Sequence, residues 1–252
     1  MTDTDTDTDT EPGDDGTTPR RRGLRRGALT TDRIVSEALR ILDEDGIGGF
    51  SLPKLGVALG ADPTAIYRHF PSKDDLVLAV ADRLIEESTA GFERGPCWVE
   101  TLMDLARRIR ATYLRHPAAA TLSSFRTTQR PAELRAADII VGAVLEAGFD
   151  GIQAATVFRA VADFGLAWAG LEASYLALDR QRREKDDAAW ASAYQRVGQD
   201  ELPNIWQIRQ ELAAVNDSDD EVFETVLGLV ADGLTARAPR PCSCPKHSGS
   251  DQ

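Results

Sequence analysis

The segment from Ser51 to Lys73 constrains the fold more than any other part of the chain, because it reads as two short helices joined by a tight turn. Ser51 is placed to cap a first helix whose leucines recur at helical spacing. Gly60 ends this helix, since glycine accepts the left-handed backbone that a helix C-terminus requires. Asp62 then caps a second helix with Pro63 at its first position, where a missing N–H costs nothing. The segment is therefore predicted to form a helix-turn-helix, a unit that places its second helix in the major groove of DNA.

The second helix, expected from Pro63 to Phe70, carries side chains that suit nucleic-acid recognition. Hydroxyl, guanidinium and imidazole groups bind phosphate oxygens and base edges, and a small residue permits close approach to a groove floor. The residues with these properties are Thr64, Ala65, Tyr67, Arg68 and His69. The alternative is a helical hairpin with ordinary surface polarity, since short patterns of this kind also arise by chance. The flanking segments favour DNA binding, because 31–42 and the segment from Ser72 onward are amphipathic at helical spacing.

These segments together resemble the N-terminal domain of the tetracycline-repressor (TetR) family. The resemblance rests on TDRIVSEALRIL, then G-I-x-G-F-S-L-x-K-L, then G-x-x-x-x-x-I-Y-x-H-F-x-S-K, and it covers 30–78 without a gap. It implies that Tyr67, His69 and Lys73 contact phosphate and that Thr64, Ala65 and Arg68 face base edges. The remaining members of the predicted DNA-binding set are Ser51, Lys54 and Pro63. Pro53 is a departure, since the family often has a basic residue there.

The net charge of −12 is unexpected for a DNA-binding protein, and its distribution resolves the conflict. Acidic residues are concentrated in the first fifteen positions and across the C-terminal two thirds. Arginines are concentrated before and within the first helix, and salt screens exposed charges beyond about 8–10 Å, so local charge matters more than the total. The arginine-rich segment 17–27 is predicted to be either a solvated linker or an arm that contacts phosphate or a minor groove.

The chain is predicted to be all-α, because no segment has the period-two pattern of a strand. We expect an acidic disordered tail with its arginine-rich arm at 1–27, a three-helix helix-turn-helix domain at 28–75, a helical-bundle domain at 76–238, and a disordered tail at 239–252. In the larger domain helices are predicted at 72–92, 98–116, 132–147, 151–183 and 202–214. A last helix is predicted from Asp217 or Ser218 to residue 236.

The larger domain resembles the regulatory domain of the same family more loosely. Trp98 opening a helix, the break at Gly148 and Phe149, and the long helix that follows carry this resemblance. It implies a homodimer with a ligand cavity in each subunit. In this family the long helix and the last helix pack as a four-helix bundle with the partner.

The resemblance also implies which residues contact a ligand. Alignment through Trp98, His116 and Gly148 places Ser123 where the family's namesake has a metal-binding histidine. We therefore expect neither a metal nor another cofactor, and we do not expect a tetracycline–magnesium complex as the ligand. The cavity is predicted to be largely apolar and to bind a small hydrophobic effector, whereas the alternative is that the same side chains fill a solid core. The predicted ligand-binding residues are Leu105, Ile109, His116, Ser123, Arg126, Ile140, Phe164, Trp168 and Leu171.

Neither a catalytic constellation nor a phosphate-binding glycine loop is visible, so an enzyme is not expected. Cys242, Cys244 and His247 could hold a soft metal, but no fourth ligand is evident. A signal peptide and a membrane-spanning apolar run are not evident either, so we expect a cytoplasmic protein without membrane partners. The prediction is a ligand-responsive transcriptional repressor that binds a palindromic DNA operator as a homodimer. The alternatives are a DNA-binding regulator without a small-molecule ligand, controlled by a protein or acting as an activator, and a helical enzyme or carrier that has lost DNA binding.

Overall fold

The computed structural model describes residues 28–215 and 219–242, and in these ranges the chain forms α-helices and no strand. The predicted all-α class is therefore confirmed. The helices are α1 (Thr31–Gly49), α2 (Leu52–Leu59), α3 (Pro63–Tyr67), α4 (Lys73–Thr89), α5 (Trp98–Arg115), α6 (Pro117–Ser123), α7 (Pro131–Glu146), α8 (Gly151–Leu176), α9 (Arg180–Gln195), α10 (Pro203–Gln207), α11 (Arg209–Ala214) and α12 (Asp219–Arg237).

Local sequence signals set the boundaries of the first four helices. The side chain of Ser51 accepts a hydrogen bond from the N–H of Lys54, and the Asp62 carboxylate accepts one from the N–H of Thr64. Gly60 has a φ of 61°, the left-handed conformation expected at the end of α2. Because each cap satisfies a backbone group that the helix leaves unpaired, these predicted boundaries are confirmed.

The small N-terminal unit packs around side chains that are removed from solvent on all three of its helices. Its core residues are Ile34, Ala38, Leu42, Leu55, Leu59, Ile66 and Phe70. Helix α4 leaves this unit and enters the larger one, where it packs against α5, α6 and α7. Helix α5 lies among α4, α7 and α8, and one cluster of buried side chains extends through both units. The two units are therefore joined by packing as well as by the chain.

The end expected for the first helix before Gly46 agrees with the structure, because Gly46 is non-helical, with a φ of 67°, and a separate turn follows it as far as Gly49. Several of the other predicted ends are wrong. Helix α3 ends at Tyr67 instead of Phe70, and α4 ends at Thr89 because Gly91 adopts a φ of 61°. The segment 202–214 is two short helices that meet at Ile208.

The long helix predicted to reach residue 183 ends at Leu176 instead, and α9 follows after a short break. The Asp179 carboxylate accepts a hydrogen bond from the N–H of Arg182 and so caps α9. The charged run at 180–187 is therefore the first half of a separate helix. This helix pairs mainly with α11, and the Trp190 indole donates to the Leu212 carbonyl at 2.8 Å.

The C-terminal tail was predicted to begin at residue 239, and this boundary is wrong for 239–242. The Arg240 N–H donates to the Ala147 carbonyl at 3.0 Å, and Cys242 is 3% exposed. Three predictions lie outside the described residues: the arm within 1–27, the cap of the last helix at Asp217 or Ser218, and the contributions of Cys244 and His247.

Helix α8 is unusually apolar for its exposure. Its 26 residues are long and apolar enough to cross a membrane by length and composition, and only 22% of its most apolar window is buried in the monomer. This corrects the expectation that no apolar run reaches the required length. Large apolar side chains stand in solvent on this helix and on α12, namely Ile152, Leu171 and Leu229. An apolar surface of this kind marks a face that another structure covers.

Candidate functional site

Helix α3 presents its polar side chains to solvent because its apolar ones anchor it. Ile66 is fully buried and Phe70, just after the helix, is nearly so. Between them the side chains of Tyr67, Arg68 and His69 are exposed. The helix therefore offers a polar surface on a rigid support, as a recognition helix must.

The polar groups on this surface differ in how far they are already engaged. The Thr64 hydroxyl donates to the Asp62 carboxylate at 2.6 Å, so it belongs to the cap of α3. The His69 ring nitrogen Nδ1 lies 3.4 Å from the Thr31 hydroxyl. Among the described residues no ion pair joins a carboxylate to Arg68, the residue that directly follows α3.

Two lysines flank the recognition helix. The Lys73 ammonium donates to the Phe50 carbonyl at 3.2 Å and lies 4.9 Å from the centre of the Phe50 ring. These contacts hold it at the start of α4 without neutralising its charge. Lys54 instead forms an exposed ion pair with Asp45 at 2.8 Å. Lys73 is thus the better placed of the two for a phosphate, whereas a contact from Lys54 requires exchange of its partner.

A small apolar cavity of about 100 Å³ lies between α4, α5, α7 and α8. Of the predicted ligand-binding residues it brings together Ile109 and Ile140. Leu105 is 2% exposed in the core and does not line it. The other lining residues are Ile85, Glu133, Ala136, Ala137, Phe158, Ala162 and Leu166. The cavity is apolar as predicted, but only part of the predicted set meets in it.

The remaining aromatic and aliphatic members of that set lie elsewhere. Trp168 and Leu171 line an open groove of about 380 Å³ between α5, α8, α9 and α12. Phe164 borders a gap of about 20 Å³ between α5, α8 and α12. The expected single cavity is therefore divided into three spaces, because these α8 side chains point away from α4 and α7.

The three polar members of the predicted set, His116, Ser123 and Arg126, line none of these spaces. The Ser123 hydroxyl donates to the Ala119 carbonyl at 2.8 Å and is buried. The Arg126 guanidinium donates two hydrogen bonds of 2.8 Å to the Asp74 carboxylate at the start of α4. The pKa of Asp74 is lowered by this pairing. The interpretation of Ser123 and Arg126 as ligand contacts is thus unsupported by their geometry, and Arg126 instead ties the α6–α7 loop to α4.

His116 also connects elements instead of facing a cavity. Its Nδ1 lies 2.9 Å from the Asp43 carboxylate in α1, and its Nε2 lies 3.2 Å from the Glu87 carboxylate in α4. Both ring nitrogens face acceptors, so the doubly protonated imidazolium fits this site best. The hydrogen bond to Asp43 raises the pKa of His116, with a further contribution from Glu87 against the opposing effects of burial and Arg115. The sequence indicated only a helix end here, because the two carboxylates are distant along the chain.

We expect the stability that His116 contributes to depend on pH. Because its folded pKa is raised above the ordinary value of about 6.5, the contribution is complete below that pH and is lost as pH rises through the folded pKa. In thermal melts the difference in Tm between the wild type and His116→Gln should be larger at pH 6 than at pH 9. A difference that does not change with pH would show that the imidazolium is not the stabilising form.

Helices α4 and α7 are joined by a second carboxylate, Asp82, which no local sequence pattern marks. The Asp82 side chain accepts hydrogen bonds from the backbone N–H groups of Ala132 and Glu133, at 3.3 and 2.9 Å. Asp82 therefore caps α7 from α4, and negative charge is favourable at this end of a helix. The Thr128 hydroxyl donates to the Glu133 carboxylate at 2.7 Å and holds the preceding loop in place.

The chain has an exposed recognition helix in a small unit, and a shared helix joins this unit to a helical domain with a cavity. This arrangement is typical of helix-turn-helix regulators. The sequence profile described as "Bacterial regulatory proteins, tetR family" matches residues 34–80, and the profile "Tetracyclin repressor-like, C-terminal domain" matches 93–238. The chain therefore belongs to the TetR family, whose members are DNA-binding transcriptional regulators and not enzymes. The resemblance found in the sequence is confirmed.

Similar proteins cover most of the chain. An HTH-type transcriptional regulator of Saccharopolyspora erythraea is 30% identical over 182 residues, which are 72% of this chain and 74% of the relative. The class A tetracycline repressor of transposon 1721 from Escherichia coli is 26% identical over 213 residues, 83% of this chain and 92% of that protein. The solved structure of the Streptomyces coelicolor TetR family protein ActR in complex with actinorhodin superposes with a TM-score of 0.73 at 23% identity, covering 85% of this chain and 99% of ActR. This last likeness is one of fold.

Proposed function

We propose that this regulator is a cytoplasmic repressor that binds a palindromic operator as a homodimer and is released by a small, largely hydrophobic molecule. The observation that carries the proposal is that α4 belongs to both the small N-terminal unit and the larger helical domain. It packs with α1 and receives Arg126 at Asp74 in its first turn, while Ile85, further along, lines the apolar cavity. A change at the cavity wall therefore acts on the helix that supports the recognition unit.

The homodimer is supported by the exposed apolar faces of α8 and α12. Leu171 is 67% exposed and Leu229 is 66% exposed in the monomer. The resemblance to the family assigns these two helices to a four-helix bundle with the partner, which would cover both side chains. Packing against the partner thus explains why α8 is apolar yet largely exposed in one subunit, and no membrane is needed to cover it.

The size of the cavity bears on how a ligand acts. A site for a drug-sized molecule commonly measures about 300–1,000 Å³, whereas the cavity between α4, α5, α7 and α8 measures about 100 Å³. A ligand of that size must therefore displace the helices that line it. Such a ligand favours the displaced state by its difference in affinity for the two states, typically about 1–3 kcal/mol of coupling. Tetracycline with magnesium is not the proposed ligand, since the Ser123 hydroxyl is committed to a backbone carbonyl.

The contacts proposed for DNA follow the exposure of the α3 surface. Arg68 is proposed to read a guanine, with Thr64, Ala65 and Pro63 against base edges. Tyr67, His69 and Lys73 are proposed to bind phosphate, with Ser51 and Lys54 at the start of α2 beside them. A bidentate pairing of arginine with guanine contributes about 1–3 kcal/mol of discrimination, whereas a phosphate contact carries no sequence information.

Arg68→Ala and Lys73→Ala are therefore expected to fail in different ways. Arg68→Ala should reduce the preference for the operator over mutated operators by about ten- to a hundredfold. Lys73→Ala should weaken binding to all sequences alike and lower the salt slope by about one. The measurement is a gel-shift titration on the DNA upstream of the protein's own gene, at several salt concentrations. An unchanged sequence preference in Arg68→Ala would contradict the proposed base contact.

The same assay separates the second candidate function, a DNA-binding regulator that does not respond to a small molecule. The small volume of the cavity favours this candidate, because a nearly filled core needs no ligand. A hydrophobic molecule that binds the protein and releases the operator supports the first function. Two results together support the second function. No tested hydrophobic molecule alters operator binding, and enlarging the side chains that line the cavity leaves the affinity for DNA unchanged.

A further inference from the structure

Side chains in the first turn of α1 contact both helices of the helix-turn-helix. The Arg33 guanidinium donates to the carbonyl of Leu59, the last residue of α2, at 3.3 Å. The last turn of α2 contains no basic residue. Positive charge is favourable at the carboxyl end of a helix, so α1 supplies what α2 lacks. The Thr31 hydroxyl lies 3.4 Å from the ring nitrogen Nδ1 of His69, just after α3. The first turn of α1 therefore contacts the ends of both α2 and α3.

The residue between these two, Asp32, is bonded to α4. Arg83 of α4 donates to the Asp32 carboxylate, and it also donates to the Ser36 hydroxyl, one turn further along α1, at 3.3 Å. Glu86 pairs with the same guanidinium at 3.1 Å, and the Arg83 side chain is only 22% exposed. A guanidinium presents its donors in a rigid planar fork. Arg83 therefore holds two successive turns of α1 in a defined position on α4.

The angle between α1 and α4 depends on such polar bonds. The buried face of α1 packs on α4, but apolar contact is non-directional, whereas hydrogen bonds are directional. His116 makes a second polar connection to the larger domain at Asp43, near the other end of α1. With both connections in place, α1 is held at its two ends. Without Arg83, the DNA-binding unit can turn about the remaining connection.

Arg83 lies far along α4 from the proposed DNA contacts. A helix rises about 1.5 Å per residue, so Arg83 is about 15 Å along the axis from Lys73, the first residue of α4 and a proposed phosphate contact. Its guanidinium is also directed at acceptors on α1 and at Glu86. An effect of Arg83 on DNA binding is therefore an effect on position and not the loss of a contact.

We propose that Arg83 is a positioning residue for DNA recognition, which holds the first turn of α1 on α4 and thereby sets the orientation of α3. The effect on DNA rests on the proposed function. The hold on α1 is a property of the protein alone, so it is measurable without DNA.

Hydrogen–deuterium exchange of the full chain tests this hold. In Arg83→Gln, peptides that cover the first two turns of α1 and peptides that cover α3 should exchange about two- to fivefold faster, the range that the loss of one partly exposed ion pair allows. Arg94→Gln is the matched control, because it makes the same change in charge and breaks a pair with Glu146 within the larger domain. The control should exchange like the wild type in α1 and α3. Unchanged exchange in Arg83→Gln would overturn the proposal.

A double variant shows whether Arg83 acts through Asp32. Asp32→Asn and Arg83→Gln remove the two sides of one bond, so their effects on exchange in α3 should not add. The double variant should therefore exchange no faster there than Arg83→Gln alone. Additive effects would mean that the two side chains act independently, and they would overturn the proposed route through the first turn of α1.

Operator binding then tests the consequence for recognition, with thermal melts to confirm folding. In gel shifts Arg83→Gln should bind the upstream DNA about four- to twenty-five-fold more weakly than the wild type, because both units of the proposed dimer lose the bond and a smaller share of dimers has the competent orientation. The affinity lost when one base pair is inserted between the half-sites should be smaller than in the wild type, since a less constrained unit adapts to the new spacing. Reduced stability alone would leave this spacing preference unchanged.

The two readouts separate this inference from the proposed function. If the wild type binds the upstream DNA and Arg83→Gln keeps the same affinity and spacing preference, the role of Arg83 in recognition is wrong. If the wild type binds no upstream DNA, the proposed function is contradicted, whereas the exchange measurement still decides whether Arg83 orients the DNA-binding unit.

Discussion

Replacing Gly56 with valine is expected to abolish specific DNA binding while the larger domain stays folded. A Cβ atom at Gly56 would lie 3.0 Å from the Ala61 carbonyl oxygen and 3.2 Å from Pro63 Cγ. The turn and the first residue of α3 therefore rest directly on the α2 backbone at this glycine. The methyl groups of valine must displace α3, and overpacking of this kind costs about 1–3 kcal/mol even when the structure adjusts.

The measurement is a gel shift on the upstream DNA together with circular dichroism and a thermal melt. Gly142→Ala is the matched control, because this glycine lies in α7 with no atom within 4 Å of the position of an added Cβ. Alanine there should stabilise the protein by about 1 kcal/mol or less and leave DNA binding intact. Wild-type operator affinity in Gly56→Val would show that the position of α3 does not depend on this contact.

Replacing Leu229 with glutamate is expected to convert the proposed dimer to monomers and to remove the proposed operator binding with it. Leu229 is 66% exposed on α12, in the face proposed to pack against the partner. Two-fold symmetry introduces the new carboxylate twice in one interface, where burial of an unpaired charge costs several kcal/mol. The dissociation constant of the dimer should rise by at least about a hundredfold.

Leu134→Glu is the control for this change. Leu134 is 63% exposed, much like Leu229, but it lies on α7, outside the proposed interface. Sedimentation equilibrium should show a dimer for this control and a monomer for Leu229→Glu at the same concentration. If both variants are dimers, α12 does not belong to the interface. If both variants are monomers, the added surface charge alone disrupts the dimer.

The parts of the fold that were predictable from the sequence are those whose partners lie within a few residues. Ser51, Asp62 and Ser72 cap their helices by bonds that span two or three residues, and Gly60 acts through its own backbone. The donor and the acceptor of such a cap lie within one short stretch of sequence, so the cap can be recognised without knowledge of the fold. The start of α9 at Asp179 uses the same local signal, but the apolar pattern of α8 and the charged run after it concealed the break.

The candidate ligand contacts were less predictable because their environments are assembled from distant segments. His116 bonds to Asp43, which lies 73 positions away, and Arg126 bonds to Asp74, 52 positions away. Alignment with a family places a residue on a helix, but it does not show which carboxylate from a distant segment lies beside that residue. The separation of Trp168 from Ile109 has a similar cause, since α8 presents different faces to α7 and to α12.

The polar bonds that join α4 to α7 lie apart from most of the apolar cavity wall on α7. Asp82, Thr128 and Glu133 join the two helices through polar bonds at the N-terminal end of α7, whereas Ile140, Ala136 and Ala137 form the apolar wall further along the same helix. Apart from Glu133, which also lines the cavity, the residues that join the two helices are different from those that form the apolar wall. Under the proposed function, substitutions at Ile140, Ala136 or Ala137 therefore alter ligand selection while the bonds from Asp82 to the N-terminal end of α7 stay in place.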